Sequence, residues 1–161
     1  MTEQEKREKR CCFTGHRPEK LNRPEAEIVA WLEAEICKAI DDGFITFISG
    51  MARGVDIWAA EIVLRLRDEG LPIHLICASP FEGFERSWDE KWKQRYTDVM
   101  KKADLVKFIC KSYSTACFQI RNRWMVDRSA RVIAVFDGKD GGTKNTIRYA
   151  QSKSIEVDAF K

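Results

Sequence analysis

Four short polar stretches of this chain carry the residue types that hold anions: Gly15-His16-Arg17, Ser49 to Asp56 (SGMARGVD), Ser79-Pro80 and Gly141-Gly142-Thr143. The second is the most informative. An apolar run (Phe44, Ile45, Phe47, Ile48) leads straight into Ser49-Gly50. Beyond Gly54, the positions Val55, Trp58, Ala59, Ile62, Val63 and Leu66 recur at the spacing of one helical face. A strand, a tight polar turn and a helix in that order aim unpaired N–H groups and the positive end of a helix dipole beyond the strand's carboxyl end. Phosphate is the usual guest there, and small residues let it approach the backbone. Ser49-Gly50 and Arg53-Gly54 are therefore expected to cradle a phosphate. Asp56 either accepts hydrogen bonds from a ribose or simply favours the first turn of the helix. Arg17 supplies counter-charge. His16 is a general acid or a hydrogen-bonded loop residue.

The elements that would position these groups alternate along the chain. A short strand over 11–14 ends at Gly15. A helix over about 24–42 buries Ile28, Leu32, Ile36 and Ala39 and stops at Gly43. The strand and helix around the 49–56 turn follow, closed by Gly70. A strand over 73–77, apolar enough to be covered on both faces, leaves through Ser79-Pro80. A helix over about 85–103, a strand over 105–110 and a helix over about 117–130 come next. The chain closes with a strand over 131–136, the Gly-rich loop 137–142, a helix to about 152 and a last strand over 155–157. This alternation predicts an α/β fold: one doubly wound, Rossmann-like domain with a mostly parallel sheet of five or six strands. It spans 11–161, preceded by a charged lead-in over 1–10. Such sheets bind ligands beyond the carboxyl ends of their strands, where all four polar stretches fall.

The 161 residues suffice for one buried core. With 28 basic and 25 acidic residues the net charge is +3, too mild to indicate nucleic acid by itself. No apolar run reaches transmembrane length, and MTEQEKREKR lacks the apolar core of a secretory signal, so a cytoplasmic location and no membrane partner are expected. The six cysteines form no CxxC pair and read as reduced, mostly buried thiols. With two histidines and no ligand spacing, no metal site is predicted. The first turn has one glycine, so the GxGxxG dinucleotide fingerprint is missing, as is a Walker A sequence. Ser49 lacks the setting of a nucleophile. Glu61 and Glu82 are candidate bases. Phe81, Phe84, Trp88 and Trp92 read as packing residues, one of which could instead stack on a base.

SGMARGVDIWAAE resembles the strand-2 signature of the SLOG superfamily, which includes the DNA-processing protein A family and the LOG phosphoribohydrolases; the YpsA-like branch is the nearest match. Two further segments support the resemblance. RNRWMVDRSARVIAVFDG is similar to a segment of the YpsA-like and DNA-processing branches, where basic and amide groups face the ligand cleft. It implies Arg121, Asn122 and Arg123 as ligand residues, although arginines two apart cannot share one helical face. Gly141-Gly142-Thr143 looks like the superfamily's GGT phosphate turn. The phosphoribohydrolases continue this turn as GTxxE, with a glutamate in acid–base work. Here GGTKNTIRYA holds no acid, which counts against that chemistry. The resemblance implies a nucleotide-derived ligand (ADP-ribose-, NAD- or cyclic-nucleotide-like) bound by a sensor or sequestering module, with no further cofactor required. A nucleotide-processing hydrolase and single-stranded DNA binding are the alternatives. Domains of this kind often pair, so a homodimer is a possible partner state.

Overall fold

The computed structural model describes residues 1–160. Its elements are α1 (Glu3–Arg7), β1 (Arg10–Gly15), a 3-10 turn (Pro18–Lys20), α2 (Glu25–Asp41), β2 (Thr46–Ser49), α3 (Val55–Asp68), β3 (His74–Ser79), α4 (Glu90–Lys102), β4 (Leu105–Phe108), α5 (Cys117–Asp127), β5 (Arg131–Val135), α6 (Gly142–Ser152) and β6 (Glu156–Phe160). The six strands form one sheet in the order β4-β3-β2-β1-β5-β6, and every pairing is parallel. Parallel strands require crossovers, and the helices supply them on both faces. α2, α3 and α4 cover one face, while α5 and α6 cover the other.

The two-residue period of the strands divides the core. Cys11, Phe13, Phe47, Leu75, Cys77 and Ile133 point toward α2, α3 and α4, where Ile28, Leu32, Ile36 and Trp58 meet them. Cys12, Ile48, Ala78 and Val132 point the other way, onto Met125, Val126 and Ala150. β1 lies at the centre, so the loops that leave β1, β2 and β5 emerge side by side.

Three expectations are corrected at element ends. α4 begins at Glu90, not near 85, because Asp89 caps it by accepting from Trp92 N–H at 3.0 Å. The preceding residues 80–88 form turns, with Gly83 at φ +89°. β3 is not covered throughout: His74 is exposed and Ile76 half-buried. β4 ends at Phe108 and is an exposed edge strand. Within the 1–10 lead-in, residues 3–7 form a short helix with no buried residue, held by a Thr2–Glu5 capping box. Cys11, Cys12, Cys77 and Cys117 are buried, Cys37 and Cys110 half-buried, and all six are free. Among the described residues, no helix is long and apolar enough to cross a membrane, and no group of His, Cys, Asp and Glu could hold a metal ion.

Candidate functional site at the carboxyl edge of the sheet

The turn after β2 is built before any ligand is considered. Ser49 is fully buried; its Oγ donates to the Asp56 carbonyl at 2.8 Å and accepts from Met51 N–H at 3.2 Å. That staple closes the turn over Met51, which is buried with φ +64°, a backbone strain rarely tolerated outside glycine. Gly54, at φ +90°, sets the start of α3 and packs on the β1 loop: a Cβ there would lie 2.9 Å from Pro18 Cδ. At Gly15 a Cβ would reach 2.4 Å from Val55 Cγ2, so only glycine lets β1 run this close to the first turn of α3.

The loops so locked surround a cleft of about 680 Å³. The end of β1 and its loop contribute Thr14, Gly15, His16, Arg17 and Lys20. The β2 turn and α3 contribute Ala52, Arg53 and Asp56, and the segment before α4 contributes Phe84, Ser87, Trp88 and Asp89. Phe118, Arg121 and Asn122 come from α5, and Asp140, Gly141, Gly142 and Thr143 from the start of α6. Ten of the residues expected from sequence therefore meet in one place: Gly15, His16, Arg17, Arg53, Asp56, Arg121, Asn122 and the Gly141-Gly142-Thr143 turn, of which Thr143 is almost fully buried. The others do not line the cleft. Ser49, Gly50 and Gly54 form the wall behind it. Pro80 is buried, with its carbonyl accepting from Cys110 N–H at 2.9 Å. Arg123 faces an adjacent groove, its guanidinium 5.0 Å from the centre of the Tyr149 ring.

The floor of the cleft holds a buried acid and a buried base. Asp56 is 6% exposed. Its Oδ2 accepts from Ala52 N–H at 3.2 Å, while Oδ1 has no partner. Burial pushes its carboxyl up to about 6, against the opposing pull of the Arg121 charge and the Ala52 N–H. Arg121 is equally enclosed. Its Nη1 donates to the Gly50 carbonyl and its Nε to Asn122 Oδ1 at 2.8 Å, which leaves Nη2 without a hydrogen-bond partner in the protein. Burial lowers the Arg121 pKa, with Asp56 opposing. Arg53 is less available than expected, because its Nη2 donates to Glu19 Oε1 at 2.9 Å.

The sequence reading missed Lys20, Phe118, Asp140 and Asp137. Asp137 Oδ1 lies 2.9 Å from His16 Nε2, though off the line of a hydrogen bond. The Lys139 N–H foremost holds the Asp137 carboxyl below its usual range. An acid directly after β5 was the available signal. Glu61 is removed as a base of this site: Arg95 binds both its oxygens, at 2.6 and 3.0 Å, in a groove between α3 and α4.

The sequence model of the YspA SLOG family matches residues 11–159. The chain belongs to this family. Its relatives include a UPF0398 protein of Bacillus pumilus, 28% identical over 148 residues that cover 86% of this chain and 80% of the relative. Among solved structures, the SLOG domain resembles the single-stranded DNA-binding DNA processing protein A of Helicobacter pylori. The TM-score is 0.67 at 19% identity, covering 98% of this chain and 66% of the other. The Streptococcus pneumoniae DNA processing protein A gives a TM-score of 0.61 at 15% identity, covering 91% of this chain and 49% of the other. At these identities the likeness concerns the fold.

Proposed function

We propose that the cleft binds a nucleotide-derived small molecule through its phosphate and ribose, and that this SLOG protein acts as a sensor or sequestering module. The observation that carries the reading is the buried, unpartnered Asp56 Oδ1 in the same cavity as the buried Arg121 guanidinium, which makes no ion pair among the described residues. Buried polar atoms are nearly always satisfied and buried charges nearly always paired, so a ligand that belongs here brings a donor for the carboxylate and a negative charge for the guanidinium. A ribose hydroxyl next to a phosphate does both. Arg17, Lys20 and the N–H groups at the start of α6 add attraction for the anion. A cleft of about 680 Å³ lies within the roughly 300–1,000 Å³ of small-molecule sites. The absence of an acid after Thr143 favours binding without turnover.

The test is mass spectrometry of small molecules carried through purification, followed by thermal-shift titration of each hit. A true ligand at 100 times its dissociation constant stabilises the fold by about 2.7 kcal/mol. Failure of ADP-ribose, NAD and cyclic nucleotides to shift the transition would reject the reading. A cleaved product in the same spectra would replace the sensor with a hydrolase, for which Asp56 and His16 are the acids in place. Single-stranded DNA is the second reading, favoured by the resemblance to the Helicobacter pylori protein. Backbone-driven DNA binding weakens steeply with salt, so an oligonucleotide that causes no mobility shift at low salt would dispose of it.

A further inference from the structure

Between α5 and α6 runs a second hollow, of about 240 Å³, which shares Phe118, Asn122 and Gly142 with the main cleft. It is smaller than the roughly 300 Å³ at which complete small-molecule sites begin, and so suits one ring system rather than a whole ligand. Its walls differ from those of the cleft. Where the cleft presents several charges, this hollow presents one, Arg123, and three carboxamides: Gln119 and Asn122 from α5 and Asn145 from α6.

Asn122 stands at the junction in a fixed orientation. Its Oδ1 is taken by Arg121 Nε at 2.8 Å, so its Nδ2 is the free end, 3.9 Å from where a Cβ on Gly142 would lie. The side chains of Gln119 and Asn145 have no partner among the described residues, so their donors and acceptors remain available. Tyr149 is anchored along one side. Its hydroxyl donates to Asp127 Oδ1 at 2.6 Å, and the Arg123 guanidinium, at 5.0 Å, and the Lys153 ammonium, at 5.5 Å, lie over its ring, so the flat π surface beside the hollow is the Arg123 guanidinium stacked on Tyr149. Carboxamides pair with the adjacent donor and acceptor on a base edge, and flat π surfaces pack against its face.

We propose that the α5–α6 hollow is a nucleobase subsite, entered past Asn122 from the phosphate cleft, and that the ligand class is therefore a nucleoside phosphate rather than a bare sugar phosphate. This rests on the phosphate reading of the cleft and deepens it. Gln119, Asn122 and Asn145 address the base edge, Phe118 and the Arg123 guanidinium stacked on Tyr149 its faces, and Arg121 and the α6 N-terminus the phosphates.

The experiment is calorimetric titration of the full chain with pyrophosphate, ribose 5-phosphate and the diphosphates ADP, GDP, CDP and UDP. It is repeated on the double variant Gln119→Leu/Asn145→Leu and on Arg121→Leu. At least one nucleoside diphosphate binds the unaltered chain roughly tenfold or more tightly than pyrophosphate or ribose 5-phosphate. The double variant erases that preference while its pyrophosphate affinity stays within about twofold. Arg121→Leu weakens all the probes together. If all probes bind the unaltered chain equally, or the double variant keeps the preference, the base subsite is wrong and the phosphate cleft survives. If no probe binds, the phosphate reading fails and the subsite with it. Both leucines replace exposed side chains, and an unchanged melting temperature verifies that the variant folds.

Discussion

Two arginines of this protein are equally enclosed, at 6% exposure each, and sit at opposite ends of the sheet. Arg131 opens β5 at the amino edge. Its Nη2 meets Asp42 Oδ2 at 2.8 Å, its Nε donates to Glu156 Oε2 at 3.0 Å, Asp158 approaches to 3.7 Å, and the Phe44 ring lies against the guanidinium. Burial works to lower its pKa, but the bonds to Asp42 and Glu156 and the surrounding carboxylates raise it overall. Arg121, at the carboxyl edge, has a backbone carbonyl and a neighbouring amide as partners, and burial prevails. Arg131 keeps an unpartnered Nη1, yet three carboxylates neutralise its charge. Arg121 makes no ion pair among the described residues, and that difference separates a structural charge from a binding charge.

Exchanging the two arginines for leucine in turn gives the largest effects. Arg131→Leu lowers the unfolding free energy by about 2–3 kcal/mol, somewhat less than for a fully enclosed pair because Asp42 and Glu156 are half exposed, and leaves nucleotide binding intact. Arg121→Leu does the reverse: stability changes by about 1 kcal/mol or less, while nucleotide affinity falls on the order of 100-fold. Urea titration and calorimetry on both variants check the pair, and equal losses of stability would erase the contrast.

Asp56→Asn sharpens it. A carboxyl raised from 3.8 to about 6 binds more protons in the folded state than in the unfolded one, so its contribution to stability falls as pH rises from about 4 to 6 and stays lost above. The asparagine variant lacks that decline. At pH 7 it is more stable than the unaltered chain by about 3 kcal/mol, at pH 4 the two converge, and its nucleotide binding is impaired. Unfolding curves across this pH range decide it. Gly15→Ala drives a methyl into Val55, costs about 1–2 kcal/mol and loosens the approach of α3 to the β1 loop, read as a lower melting temperature. Glu19→Gln has the smallest effect: it releases Arg53 and strengthens pyrophosphate binding roughly twofold to threefold in calorimetry.

The order of elements was readable because apolar periodicity changes cleanly from two to 3.6 around residues 44–66, and because Gly43, Gly54 and Gly70 mark the boundaries. The start of α4 was not, since one side chain, Asp89, overrules the continuing apolar spacing of Trp88 and Trp92. In the site, the choice of Arg121 over Arg123 could have been read: Arg121 shares a helical face with Cys117 and Met125, both buried. Ser49, Gly50 and Gly54, expected at the phosphate from local pattern, lie outside the lining of the cleft. A strand–turn–helix motif shows which residues are small, but not whether the space they leave admits a ligand or another loop. Lys20 and Phe118 enter through tertiary packing, which leaves no local mark.

The central place of β1 has a consequence for synthesis. Of the six strands it is made first, it gains β2 soon after, and its other neighbour begins only at Arg131. Until that residue has been made, Cys11, Cys12 and Phe13 keep a bare ladder of N–H and C=O groups that a stray strand can occupy. A nascent chain halted before β5 is thus a template for misassociation, whereas one halted just after it lacks only peripheral pieces.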